Sequence, residues 1–246
     1  MNVLVVGDSC KDVFVYGRCD RLAPDGPIPV FVPLYSKANR GMAGNVYENL
    51  LSLKEIKTEL ITNDTGITKT RYVHEETNHI FVRVDSGEDA VDRIKNIEKI
   101  EFNKYSAIVI SDYDKGFLTE EDIFYIGKSH PLTFLDTKKT LGAWAESVTY
   151  IKINKPEYER TKHAVDNNSN LKNKLIITLG SKGCSFKEKQ FPVNNVEIKD
   201  LTGAGDSFLA AFVFKFLMDE NIYDAINFAN ECATLVVQQK GVNTIQ

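Results

Sequence analysis

The sequence predicts an α/β fold: a doubly wound, mostly parallel sheet with helices on both faces, plus a small β-sheet lid. Three observations lead there. Short apolar runs alternate with longer stretches of helical period. Those runs are apolar at nearly every position, as strands covered on both faces are. Two further segments break the rhythm, one interrupted by prolines and one alternating. With 246 residues, 43% of them hydrophobic, the chain has room for one large domain and a small appendage but not for a second catalytic domain.

In chain order, buried strands are expected at 3–6, 107–110, 132–135, 150–153 and 175–179, with helices at 44–53, 119–126 and 156–163. Two long apolar helices follow, at 205–218 and 223–238; their aromatic run Phe208, Phe212, Phe214 and Phe216 reads as core. The segment 14–34 carries Pro24, Pro27 and Pro29, and in 79–85 Ile80, Val82 and Val84 recur at every second position, the mark of a strand with one wet face. Together they predict a separate small sheet, with lid segments at about 12–36 and 70–86, serving as lid or dimer surface; an ordinary edge hairpin is the alternative. No repeat or linker appears, so 1–246 reads as a single domain.

The net charge of −4 is spread along the chain without a basic cluster, which argues against nucleic acid as a partner. Cys10, Cys19, Cys184 and Cys232 lack zinc-ligand spacing and read as reduced thiols. The apolar run at 3–7 is too short for a signal core, and no stretch is long enough to span a membrane, so a cytoplasmic protein is expected. The histidines are scattered and receive no role.

The most informative stretch is Asp200-Leu201-Thr202-Gly203-Ala204-Gly205-Asp206, which opens an apolar helix. Small residues at a helix start let backbone N–H groups approach an anion, and the helix dipole favours it. A carboxylate at Asp206 would stand beside that pocket and accept a proton from an attacking hydroxyl. A tight turn at Gly203 and Gly205, with Asp206 merely favouring the dipole, is the plainer alternative. A dinucleotide fingerprint lacks its third glycine, and no Walker A sequence is present.

These residues and others in order along the chain resemble the ribokinase-like (phosphofructokinase B) carbohydrate kinases over nearly the whole length. Gly203, Ala204, Gly205 and Asp206 look like that family's anion hole and catalytic base. Asn154-Lys155-Pro156-Glu157 resembles its N-x-x-E motif, which implies organisation of Mg2+, through Glu157, and of the ATP phosphates. Thr178-Leu179-Gly180-Ser181-Lys182-Gly183 resembles its nucleotide-side turn, and the resemblance places a nucleotide contact near Asn230. Gly7-Asp8 with Asp12, and Gly41-Met42-Ala43-Gly44-Asn45, resemble the segments that hold sugar hydroxyls. For Asp8 and Asp12 a solvated loop position stays open, and for Asn45 a helix cap.

Within the family the D-glycero-D-manno-heptose 7-phosphate kinase branch is the most similar. Three stretches carry this: Arg21 to Val30, Lys69-Thr70-Arg71 with Arg83-Val84-Asp85, and Ser111-Asp112-Tyr113-Asp114-Lys115-Gly116. The resemblance implies a sugar phosphate substrate, phosphorylated at its anomeric hydroxyl to the 1,7-bisphosphate, and a homodimer formed through the β-sheet lid; another ribokinase-like sugar or nucleoside kinase, or an inactive homologue that binds nucleotide or sugar, is the alternative. Arg71 and Lys115 would suit a substrate already carrying a phosphate, although both could be solvated surface cations. Three departures are noted. Met42 replaces a glycine common in the sugar loop, the chain is short between Asn63 and Lys69 as though a helix were deleted, and no transferase follows Thr244.

Overall fold

The computed structural model describes residues 1–64, 66–239 and 241–245. The first half contains β1 (Asn2–Gly7), β2 (Ser9–Arg18), β3 (Val32–Met42), α1 (Ala43–Ser52), β4 (Lys57–Thr62), β5 (Ile67–His74) and β6 (Ile80–Ser86). Next come β7 (Ala107–Asp112), α2 (Glu120–Ser129), β8 (Thr133–Thr137), β9 (Tyr150–Asn154) and α3 (Lys155–Asp166). The chain closes with α4 (Ser169–Lys172), β10 (Leu175–Thr178), β11 (Cys184–Phe186), β12 (Lys189–Phe191), α5 (Ala204–Asp219) and α6 (Ile222–Val236).

Eight strands form the large sheet in the order β12-β11-β10-β9-β8-β7-β1-β4. The six from β10 to β4 run parallel, and the β11–β12 hairpin adds an antiparallel edge. Side chains alternate across each strand. Val3, Val5, Ala107, Val109 and Phe134 therefore meet α1, α5 and α6 on one face, while Leu4, Val6, Ile108, Ile110 and Leu135 meet α2 and α3 on the other. Phe134 is stacked with Tyr150 and takes the edges of Phe212 and Phe216, so the aromatic face of α5 is core, as its spacing predicts. Burying a ring of this size contributes roughly 1.5–3 kcal/mol.

The alternating segments do form a sheet of their own, β3-β2-β5-β6, in which β2 and β5 are parallel and the outer pairs antiparallel. This decides between a separate sheet and an edge hairpin in favour of the former. Its inner face carries Asp12, Lys69 and Arg71; its other face exposes Val82 and Val84. The strand at 57–62 and the hairpin at 184–191 were not expected from the sequence. After β4 ends at Thr62 the chain enters β5 at Ile67, so no helix covers the step; Thr65, within it, lies outside the described residues. Met42 occupies φ 59°, ψ −133°, a conformation that suits glycine, so the side chain sits there at a cost of about 1–3 kcal/mol.

Candidate functional site

The carboxyl ends of β1, β7, β8, β9 and β10 point to one edge of the sheet, where open α/β sheets bind ligands. Two hollows lie there, on either side of the first turn of α5.

Gly203 takes φ 82° at the N-cap of α5, which puts Asp206 in the first helical turn. The amides of Gly205 and Asp206 donate to no group among the described residues, as expected of a helix start without a side-chain cap. A Cβ on Gly203 would lie 2.7 Å from Asn45 Nδ2, and its positive φ also favours glycine; one on Gly205 would lie 2.9 Å from Lys152 Nζ, so a side chain there would displace that lysine. Asp206 is 3% exposed. Its Oδ2 accepts from Asn45 Nδ2 at 2.8 Å and its Oδ1 from the Tyr113 hydroxyl at 2.6 Å. Burial pushes its carboxyl up to about 6, against the two donors, which favour the ionised form. Asp136, at the end of β8, adds to the rise, and Lys152 from β9 opposes it while pairing with Asp136 at 2.7 Å.

The larger hollow, about 590 Å3, extends from Asp206 toward the lid. Asp12, Asn45, Arg71 and Lys115 line it, together with Asn154, Pro156, Glu157 and Gly203. Four of its cations are paired near the small sheet: Arg71 with Asp12, Lys115 with Glu88 at 2.6 Å, Lys69 with Glu88 at 2.6 Å and Asp85 at 3.2 Å, and Arg83 with Asp85 at 2.9 Å; Arg160 instead donates to the Lys138 carbonyl at 3.2 Å. Glu88 thus bridges the lid to the loop after β7. Asn154 and Glu157 form a capping box at the head of α3: Asn154 Oδ1 accepts the Glu157 amide at 2.9 Å and Glu157 Oε2 accepts the Asn154 amide at 2.7 Å. Glu157 Oε1 also receives Lys138, a residue that sequence reasoning passed over.

The smaller hollow, about 170 Å3, is lined by Thr178, Gly180, Gly183, Ala204, Gly205, Phe208 and Asn230, and among the described residues no ionisable side chain lines it. Gly183 at φ 79° brings its backbone against Phe191, where a Cβ would lie 2.0 Å from the carbonyl oxygen. Asn230 Nδ2 donates to that same Phe191 carbonyl at 3.0 Å.

Four assignments need correction. Asp8 does not face the hollow: it is fully buried, and its two oxygens accept the amides of Tyr113 (2.7 Å) and Phe117 (3.2 Å). Asn45 is not a helix cap; Met42 holds that position, and the Asn45 side chain braces Asp206 while its Oδ1 accepts from Asn49 at 3.0 Å. Gly41 does not line the hollow; a Cβ there would lie 2.1 Å from Asp12 Oδ2, so the glycine makes room for that carboxylate. Lys155 turns away into a separate depression beside Tyr158 and Glu159.

A nearly parallel sheet with hollows at its strand ends, a glycine-lined helix start and a buried carboxylate between them is an arrangement suited to holding an anionic group beside a proton acceptor. The family model for pfkB family carbohydrate kinases matches residues 34–246, and the chain belongs to that family. It is similar to the bifunctional protein HldE of Helicobacter pylori strain J99, 31% identical over 295 aligned positions, and to HldE of Nitratiruptor sp., 29% identical over 291. The first covers 98% and the second 99% of this chain, but the chain spans only 63% of either relative's length. Among solved structures, phosphofructokinase-2 from Escherichia coli in complex with potassium superposes with a TM-score of 0.72 at 11% identity, over 99% of this chain and 94% of that one. Arabidopsis thaliana ribokinase complexed with ribose and ATP gives 0.66 at 15% identity, over 98% and 93%. These likenesses show a ribokinase-like fold.

Proposed function

We propose that the chain is a Mg2+- and ATP-dependent sugar kinase that phosphorylates the anomeric hydroxyl of D-glycero-D-manno-heptose 7-phosphate, giving the 1,7-bisphosphate. The observation that carries this reading is the place of Asp206, between unpaired helix-start amides on one side and a cation-lined hollow on the other. Asp206 accepts the proton of the attacking hydroxyl, and the amides of Gly205 and Asp206 hold oxygens of the phosphoryl in transfer. The neutral hollow, with Thr178, Gly180, Gly183 and Asn230, suits a nucleoside; Lys69, Arg71, Arg83 and Lys115 suit a phosphate already on the sugar.

Those unpaired amides and the chargeless hollow fit ATP. Glu157, whose oxygens are held by Asn154 and Lys138, would be the residue to hold Mg2+ together with nucleotide phosphates, and the ion would neutralise their charge. The described chain works in this reading as one domain with a lid, in the cytoplasm; no described helix is long and apolar enough to cross a membrane. The exposed Val32, Leu34, Val82 and Val84 of the lid suit a second copy of the chain, and light scattering after size exclusion is expected to give twice the monomer mass.

ADP release is measured with heptose 7-phosphate, fructose 6-phosphate and ribose. Heptose 7-phosphate is expected to be preferred, and Asp206→Asn to lower kcat by roughly 10²–10⁴. Preference for fructose 6-phosphate would keep the reaction and change the substrate. An unimpaired Asp206→Asn would remove Asp206 as base.

A further inference from the structure

Tyr113 follows β7 by one residue and is held at both ends. Its amide donates to Asp8 Oδ2 at 2.7 Å, and its hydroxyl donates to Asp206 Oδ1 at 2.6 Å. Between them the ring packs on Cys10, Met42 and Ile67, and the Lys138 ammonium lies 5.0 Å from the ring centroid. The loop around it is fixed independently. Asp8 Oδ1 takes the Phe117 amide, Lys139 bridges Asp112 and Asp114 at 2.8 Å each, and Asp114 and Gly116 hold left-handed backbone at φ 56° and 102°. The position of the phenol is therefore set by the backbone clamp at the end of β1.

We propose that Tyr113 is a positioning residue for the base: it links the Asp8 clamp to Asp206, holds one carboxylate oxygen while Asn45 holds the other, and keeps the carboxylate ionised and aimed at the acceptor hydroxyl. This rests on the reading of Asp206 as base. A hydrogen bond to the charged form favours that form, which counters the burial of Asp206. The groups facing Asp206 are Asn45 from α1, Cys10 from β2, Tyr113, Asp136 from β8, Lys138 just after it and Lys152 from β9. Of these Tyr113 and Asn45 donate directly to it. Burial first, and then Asp206, raise the Tyr113 phenol well above its ordinary value, so it remains a donor wherever the enzyme works.

Tyr113→Phe keeps the ring and the Asp8 clamp and removes only the donor. With heptose 7-phosphate, kcat is expected to fall about tenfold, and the acid limb of kcat/KM to move up by about one pH unit, as loss of one donor to a charged group implies. KM for the sugar is expected to stay within about twofold, because uniform binding is untouched. A second readout needs no substrate: thermal midpoints of wild type, Tyr113→Phe, Asp206→Asn and the double variant at pH 8. The destabilisation by Tyr113→Phe is expected to shrink by half or more when Asp206→Asn is already present, since the charge it serves is gone. An unmoved acid limb, with equal destabilisation in both backgrounds, would overturn the proposal and leave Tyr113 as packing. Turnover surviving in Asp206→Asn would instead overturn the base reading, while the midpoints still judge the contact.

Discussion

The two hollows beside α5 are built on opposite principles. Toward the lid the lining is a ring of mostly paired charge, with Asp12, Lys69, Arg71, Arg83, Lys115, Lys138, Glu157 and Arg160 all present; toward α6 it is glycine, asparagine, valine and backbone, with no ionisable side chain among the described residues. Charged walls discriminate by leaving a buried partner unpaired when the wrong molecule enters. Neutral walls accept any flat, modestly polar group of suitable size. In the proposed reading the acceptor is chosen by electrostatics and the donor by shape. Asp206 stands at the boundary, on the wall of the charged hollow.

That boundary is where the largest effect is expected. Besides its loss of turnover, Asp206→Asn is expected to make the protein more stable at neutral pH. The folded carboxyl titrates at about 6 rather than 3.8, so folding favours the protonated form below 3.8, and that advantage is lost as pH rises through 6. At about 1.4 kcal/mol per pH unit this is a gain of roughly 3 kcal/mol at pH 8, vanishing at pH 3.5, readable from denaturant midpoints at the two values. A smaller effect belongs to the charged wall. Lys115→Ala is expected to raise KM for a phosphorylated sugar by roughly 10- to 100-fold, as loss of one charge-assisted contact implies, with KM for ATP unchanged. The smallest belongs to the neutral wall: Asn230→Ala is expected to raise KM for ATP about fivefold, near 1 kcal/mol, and to leave the sugar constant alone. If Lys115→Ala and Asn230→Ala each move both constants, the division of labour between the hollows is broken.

Most of the large sheet was legible because strands buried on both faces announce themselves as unbroken apolar runs. The strand at 57–62 was missed since it is an edge, with Lys57 and Glu59 at its exposed positions, and the 184–191 hairpin is too short to show a period. The site was legible where function and local geometry share a spacing. Asn154 and Glu157 stand three residues apart because a capping box needs that interval, and Gly203, Gly205 and Asp206 because a helix start does. It was illegible where tertiary contact decides. Nothing local distinguishes Asp8, which clamps a loop, from Asp12, which faces the hollow. Lys138, Lys152 and Tyr113 became site residues only through the sheet that gathers them. One signal was available: each stands in or just beyond the carboxyl end of a parallel strand, the edge where such sheets carry their chemistry.

The small sheet joins the core through four chain connections: the single residue Asp8 between β1 and β2, the direct step from Met42 to Ala43, the step between β4 and β5, and the longer stretch between β6 and β7. All four leave the small sheet at the same end of its strands, beside Asp12 and Lys69, while Arg18, His74 and Ile80 stand at the far ends. Hydrogen bonds from Asn39 to the Val242 carbonyl (2.8 Å) and from Asn78 to the Lys199 carbonyl (3.3 Å) tie the sheet further to the rest of the molecule. The wall that carries Asp12, Lys69 and Arg71 is therefore anchored by chain connections at its own end of the strands.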